Sequence, residues 1–129
     1  MSTREIIATD DAPAAIGAYS QAVKAQGLLF CSGQIAIDPR TGELVTGDAA
    51  SQTERVLQNL GAVLRAGGSG WDKVLRVTIF LVDMADFASV DAVYARRFEG
   101  LAPPARATVA VKELPRGVSV EISCVALAD

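Results

Sequence analysis

Apolar positions recur at two spacings along this chain, and the switches between them mark out its elements. A short alternating segment over residues 4–8 is broken by Asp10-Asp11-Ala12-Pro13. Gly17-Ala18-Tyr19-Ser20-Gln21 reads as a small-residue loop feeding a strand over 22–25. Gln26-Gly27 fits a hairpin turn, and Leu28-Leu29-Phe30-Cys31-Ser32-Gly33-Gln34 is a strongly apolar strand. Asp38-Pro39-Arg40-Thr41-Gly42 is a turn cluster. From Asp48, a helix-capping residue type, the period changes. Ala49, Thr53, Val56, Leu60, Val63 and Leu64 fall on one helical stripe, which Gly67-Gly68 ends. Residues 74–82 make a long β-branched strand. Asp86 is placed to cap a second helix with Phe87, Val90, Tyr94 and Phe98 on its apolar face. Glu99-Gly100-Leu101-Ala102-Pro103-Pro104 stops that helix, and two further strands joined at Leu114-Pro115-Arg116-Gly117 read as a closing hairpin.

The predicted order is β-β-β-α-β-α-β-β, an α+β fold in which two helices cover one face of a single mixed sheet. No linker, repeat or low-complexity tract divides the 129 residues, so 1–129 is read as one domain, large enough to bury a core without staples. The other face of the sheet is left uncovered. In a chain that is 50% hydrophobic, that face is expected to meet another subunit.

The closing strands carry the chemistry. In the first, Ala107, Val109 and Val111 share one face while Arg106, Thr108 and Ala110 share the other. In the second, Val120, Ile122, Cys124 and Ala126 oppose Ser119, Glu121 and Ser123. Read as neighbours, the two strands put an arginine and a carboxylate together on non-core faces. That arrangement is either a structural ion pair or a site. In a site, the guanidinium would clamp a carboxylate and the glutamate would act as acid, base or water-holder.

Composition narrows the choice. A formal charge of -3 and a pI near 4.9 argue against a broad nucleic-acid footprint, yet permit a small anionic substrate. Histidine is absent, which removes Ser-His-Asp and Cys-His nucleophile systems and the usual zinc sites. No metal and no cofactor are expected, so the chemistry must run on Arg, Glu, Asp, Tyr, Ser, backbone groups and water. Cys31 and Cys124 sit in apolar runs and read as buried reduced thiols, with a single disulfide left open. No apolar signal region follows the N-terminus and no run reaches membrane-spanning length, so a cytoplasmic protein is expected. Gly67-Gly68-Ser69-Gly70 follows a helix, whereas a phosphate loop opens one.

Three further positions have both a plain and a functional reading. Ser32-Gly33 is a strand end, or a backbone amide offered to an anion. Tyr19 is a half-buried loop anchor, or a hydroxyl presented to a pocket. Asp91 lies near the start of the second helix, off its apolar stripe, where it would favour the helix dipole.

Together these pieces resemble the Rid family, also called the YjgF or reactive intermediate deaminase family, over nearly the whole chain. Ala12-Pro13-Ala14-Ala15-Ile16-Gly17-Ala18-Tyr19-Ser20-Gln21 resembles its N-terminal motif, with Ala18 where proline is usual. Ser32-Gly33-Gln34 resembles its second motif. Its C-terminal signature is matched from Pro104-Ala105-Arg106 through Leu114-Pro115-Arg116-Gly117 to Val120-Glu121-Ile122.

The resemblance implies a chorismate-mutase-like fold and a homotrimer whose three sheets pack like a barrel, with active sites in clefts between subunits. It implies that Arg106 binds a substrate carboxylate and that Glu121 holds the attacking water. Tyr19, Ser32, Gly33 and Thr108 match further pocket positions, Thr108 standing where cysteine is frequent. Asp91 stands where asparagine is usual, near the cleft of an adjacent subunit. The implied activity is hydrolysis of 2-iminobutanoate and 2-iminopropanoate to 2-oxo acids and ammonia, with no nucleic-acid or membrane partner. A 2-aminomuconate deaminase is the nearer alternative. An endoribonuclease and a non-enzymatic trimeric binding or chaperone module are the others. The acidic pI stands against the nuclease, and Arg106 with Glu121 favours an enzyme.

Overall fold

The computed structural model describes residues 3–129. Its strands are β1 (Glu5–Ile7), β2 (Ala22–Ala25), β3 (Leu28–Gln34), β4 (Val74–Leu81), β5 (Ala105–Ala110) and β6 (Val120–Leu127). Its helices are α1 (Ala49–Ala66) and α2 (Phe87–Arg97). The strands form one sheet in the order β1-β2-β3-β6-β4-β5. Neighbours are antiparallel except β4 and β5, which run parallel. That exception follows from α2, a crossover helix that carries the chain back so that β5 starts where β4 started.

The closing strands do not form the expected hairpin. β4 lies between β5 and β6, and β6 fills the slot between β3 and β4. The connection passes over the end of β4, where the Val111 N–H donates to the Leu81 carbonyl at 2.7 Å. Alternation identifies a strand and its two faces, but not its partners. Here the more apolar strand takes the centre: Val120, Ile122, Cys124 and Ala126 are all buried, whereas β5 is left at the edge.

α1 forms as its pattern dictates. Asp48 caps it by accepting from the Ser51 N–H at 2.9 Å, and every residue of its apolar stripe is buried. Its far end closes on Gly67, whose N–H reaches the Val63 carbonyl at 3.0 Å, with Gly68 at φ +79°. Gly67 also meets the sheet closely; a Cβ there would lie 2.6 Å from a Leu29 methyl. Asp86 does not cap α2 through its side chain. The preceding turn takes that cap instead, with Asp83 accepting from the Ala85 N–H at 2.9 Å.

Both helices lie on one face of the sheet and bury Leu29, Val77, Ile79, Leu81, Val120 and Ile122 against Val56, Leu60, Leu64 and Val90. Asn59 joins α1 to the segment leaving β3. Fully buried, it donates to the carbonyls of Ile35 (3.2 Å) and Ile37 (2.9 Å) and accepts from Arg55 at 2.7 Å. Cys31 and Cys124 face each other across β3 and β6 as free, buried thiols. A shared hydrogen bond and burial push the Cys124 thiol far above its usual range. On the sheet's other face Ile6, Phe30, Val109 and Leu127 remain 42–51% exposed. No element among the described residues covers them.

Candidate active site

A break in strand register builds the site. Cys31 pairs with Cys124, but the next paired residue on β3 is Gln34, opposite Ile122. Three steps along β3 match two along β6, so β3 carries one extra residue, a bulge at Ser32 and Gly33. The bulge presses the Gly33 backbone against Glu121. A Cβ on residue 33 would stand 2.5 Å from Glu121 Oε2 and 2.8 Å from its Cδ. Only glycine leaves the carboxylate its place.

Glu121 points away from the helices, on the face it shares with Phe80 of β4. It is half-buried and has no hydrogen bond or ion pair among the described residues. Burial alone raises its carboxyl pKa above the ordinary value. It opens into a cleft of about 570 Å³ whose walls include Tyr19, Ser32, Gly33, Ile35 and Ile37, with Pro115 and Arg116 at one side. A partly desolvated carboxylate with a free valence in such a cleft can take a proton from water and return it.

The Tyr19 loop is pinned by residues that serve the wall. The Ser32 hydroxyl donates to the Ser20 carbonyl at 2.6 Å, and its amide donates to the Gln21 carbonyl at 3.0 Å. Both Ser32 donors are therefore engaged, so of the two readings of Ser32-Gly33 the amide offered to an anion is not available at Ser32. The buried Gln21 side chain accepts from the Thr9 N–H at 2.7 Å and donates to the carbonyls of Thr9, Ala12 and Pro13. Gln21 was not among the predicted site residues; its signal was a glutamine closing a loop of small residues. Arg116 was also missed. It lines the cleft as its only basic side chain and holds φ +57°, beside Gly117 at +70°.

Arg106 lies elsewhere. It pairs with Val77, whose side chain enters the core, so Arg106 and Thr108 project to the helix side of the sheet. Glu121 projects to the opposite side, on β6, with β4 between the two strands. The two do not meet in one chain, neither as an ion pair nor as a site. Arg106 instead meets α2: Nη1 donates to Asp91 Oδ1 at 2.6 Å, and the guanidinium lies 4.9 Å from the Tyr94 ring centroid and 5.5 Å from that of Phe87. Asp91 stays off the buried face of α2 carried by Val90, Val93 and Tyr94, yet it reaches the arginine. Phe87, Asp91 and Tyr94 follow at i, i+4 and i+7 and together bracket the arginine. The Tyr94 hydroxyl and Thr108 Oγ1 are buried there without hydrogen-bond partners. Burial, first of all, pushes the Tyr94 phenol up to about 12, against the pull of Arg106. The chain therefore carries two separate clusters of candidate residues, one around Glu121 and one around Arg106.

Among the described residues no group of three or more His, Cys, Asp or Glu is placed to hold a metal ion, and no helix is long and apolar enough to cross a membrane.

Comparison with known proteins adds relatives to this geometry. Residues 9–128 match the family described as endoribonuclease L-PSP. Protein DfrA of Myxococcus xanthus is 55% identical over 126 residues, covering 96% of this chain and 95% of that protein. The mouse 2-iminobutanoate/2-iminopropanoate deaminase is 44% identical over 124 residues, covering 96% and 91%. Among solved structures, a protein of unknown function from Yersinia pestis, of the conserved Rid family, matches with a TM-score of 0.96 at 44% identity, covering 98% of this chain and all of that one.

Proposed function

The chain belongs to the endoribonuclease L-PSP family, which takes in the Rid proteins, and from that premise we propose that it is a hydrolase of small 2-imino acids. The observation that carries this reading is Glu121, a half-buried carboxyl with no partner, set by Gly33 against a cleft of small-ligand size. The mouse relative's name supports the same chemistry, with 2-iminobutanoate and 2-iminopropanoate as the substrates it specifies.

The reaction takes R–C(=NH2+)–COO⁻ and water to R–CO–COO⁻ and NH4+. An iminium carbon is already electrophilic, so the work is orientation and proton transfer. The Glu121 carboxylate takes a proton from water as the oxygen bonds to C2. It then passes that proton to the amino nitrogen of the tetrahedral intermediate. The C–N bond breaks and ammonia leaves; the Glu121 carboxylate takes the hydroxyl proton as the carbonyl forms and gives it up to the departing ammonia, which leaves as NH4+. Tyr19 offers its hydroxyl to the substrate, while Ser32 holds the loop that carries it.

Arg106 grips the carboxylate, and it comes from a neighbouring copy. In this reading the chain is a homotrimer. The uncovered apolar face bearing Phe30, Val109 and Leu127 is the contact surface, and the Arg106 edge of one copy completes the Glu121 cleft of the next. Thr108 and Asp91 arrive with Arg106. A net charge of -3 and a cleft with one basic side chain support a small substrate over a polyanion such as RNA.

The test is a coupled assay in which an amino-acid oxidase or a dehydratase generates the imine and release of 2-oxo acid is followed. Wild type should accelerate release, Arg106→Ala should not, and Arg106→Lys should be impaired because an ammonium lacks the planar fork. Wild-type rates in Arg106→Ala, or a fully active monomer in sedimentation, would refute the shared cleft.

A further inference from the structure

Arg106 is a clamp that already holds a carboxylate. Its 2.6 Å contact with Asp91 is the shortest ion pair among the described residues. The aromatic rings of Tyr94 and Phe87 fix the guanidinium from α2, and Asp91 stands at its rim, with 40% of its side chain and 26% of the arginine's open to solvent. A ligand that reaches Arg106 therefore meets both charges. Only Nη1 is engaged, so other N–H donors of the guanidinium can still seat a carboxylate. The seat, however, lies beside a fixed negative charge.

Electroneutrality then decides between ligands. Asp91 offsets Arg106, and Arg116 at the side of the cleft offsets an ionised Glu121, so the carboxylate seat carries no surplus positive charge. A protonated 2-imino acid is a zwitterion: its carboxylate is repelled by Asp91, but its iminium is attracted. The 2-oxo acid formed from it keeps the carboxylate and has lost the positive nitrogen, so only the repulsion remains. Two like charges about 5 Å apart in a partly solvated site repel by an amount worth about tenfold in binding.

We propose that Asp91 is a specificity-determining residue that makes the site select zwitterionic 2-iminium acids over anionic 2-oxo acids, so that the product is expelled as it forms. The assignment rests on the deaminase reading of Arg106 and adds to it a preference between substrate and product. Asp91 acts through its charge, beyond any service as a brace for the arginine.

Calorimetric titration of the intact protein with 2-oxobutanoate, alongside the imine assay, tests this. Asp91→Asn keeps a hydrogen-bonding side chain but removes the charge. It should bind 2-oxobutanoate about tenfold more tightly than wild type and show product inhibition at correspondingly lower concentration. Asp91→Ala separates the roles, since a mere brace would make both variants bind more weakly. Unchanged or weaker 2-oxobutanoate binding in a folded Asp91→Asn overturns the assignment while leaving the deaminase reading intact. Binding that survives Arg106→Ala undiminished overturns the deaminase reading, and this assignment with it.

Discussion

Replacing Gly33 by alanine tests whether the bulge exists to place Glu121. The backbone accepts the change, because Gly33 is not among the residues with positive φ. Space does not: the new methyl would lie 2.5 Å from Glu121 Oε2 and 2.8 Å from Cδ. Ordinary contact begins near 3.5 Å, so the carboxylate must retreat by about 1 Å. Glu121 is only half-buried and has no partner to lose, so its tip can swing aside. The glycine's greater freedom in the unfolded chain offsets part of any strain, by about 0.4–1 kcal/mol. The fold should survive with a melting temperature within a few degrees of wild type. Catalysis should not, since a displacement of ~1 Å at a reacting group costs on the order of 100-fold. Steady-state imine hydrolysis gives kcat for Gly33→Ala, Glu121→Gln and the double variant. If the glycine acts through the carboxylate, adding Gly33→Ala to Glu121→Gln should cost little more. Near-wild-type kcat in a folded Gly33→Ala, or losses that multiply in the double variant, would refute the reasoning.

The raised carboxyl pKa of Glu121 should place the acid limb of kcat/KM above the ordinary glutamate range, and Glu121→Gln should remove that limb along with activity. The same shift bears on stability. A carboxyl raised in the folded state favours folding below its unfolded value and loses that contribution as pH rises through the folded one. Glu121→Gln should therefore melt at or above wild type at pH 7, with the difference closing below about pH 4.5, as thermal scans would show. Asn59→Ala empties a fully buried position and leaves two part-buried backbone carbonyls and Arg55 without their partner, and should cost about 1–3 kcal/mol in urea unfolding.

The elements themselves could be read from local pattern. Leu28 to Gln34 and Ala22 to Ala25 are strands with the expected ends, and the α1 stripe from Ala49 to Leu64 is buried at each expected position. Both readings depend on period and capping, which act within a few residues. The closing hairpin failed because strand partners are set by distant packing: a crossover helix fixed β5 beside β4, and the apolar β6 took the centre. The site was legible by the same division. Tyr19, Ser32, Gly33 and Glu121 line one cleft. Arg106 does not join them, because its face depends on pairing with Val77 and not on its own alternation. Asp91 lies off the buried stripe of α2 as its spacing predicts, but its pairing with Arg106 depends on β5 packing beside it, which no local pattern records. The bulge left little mark on the sequence beyond Gly33, yet it positions the carboxylate.

Because Arg106 and Glu121 leave opposite faces of one sheet, the proposed site gives the protein a particular genetics. An inactive Arg106→Ala chain and an inactive Glu121→Gln chain carry complementary defects, and each retains what the other lacks. Co-assembled at random in equal amounts, about a quarter of all clefts, or about one in three within the mixed trimers, would draw an intact arginine and an intact glutamate from different chains. Two null alleles would then restore each other, while homotypic assemblies of either stay silent.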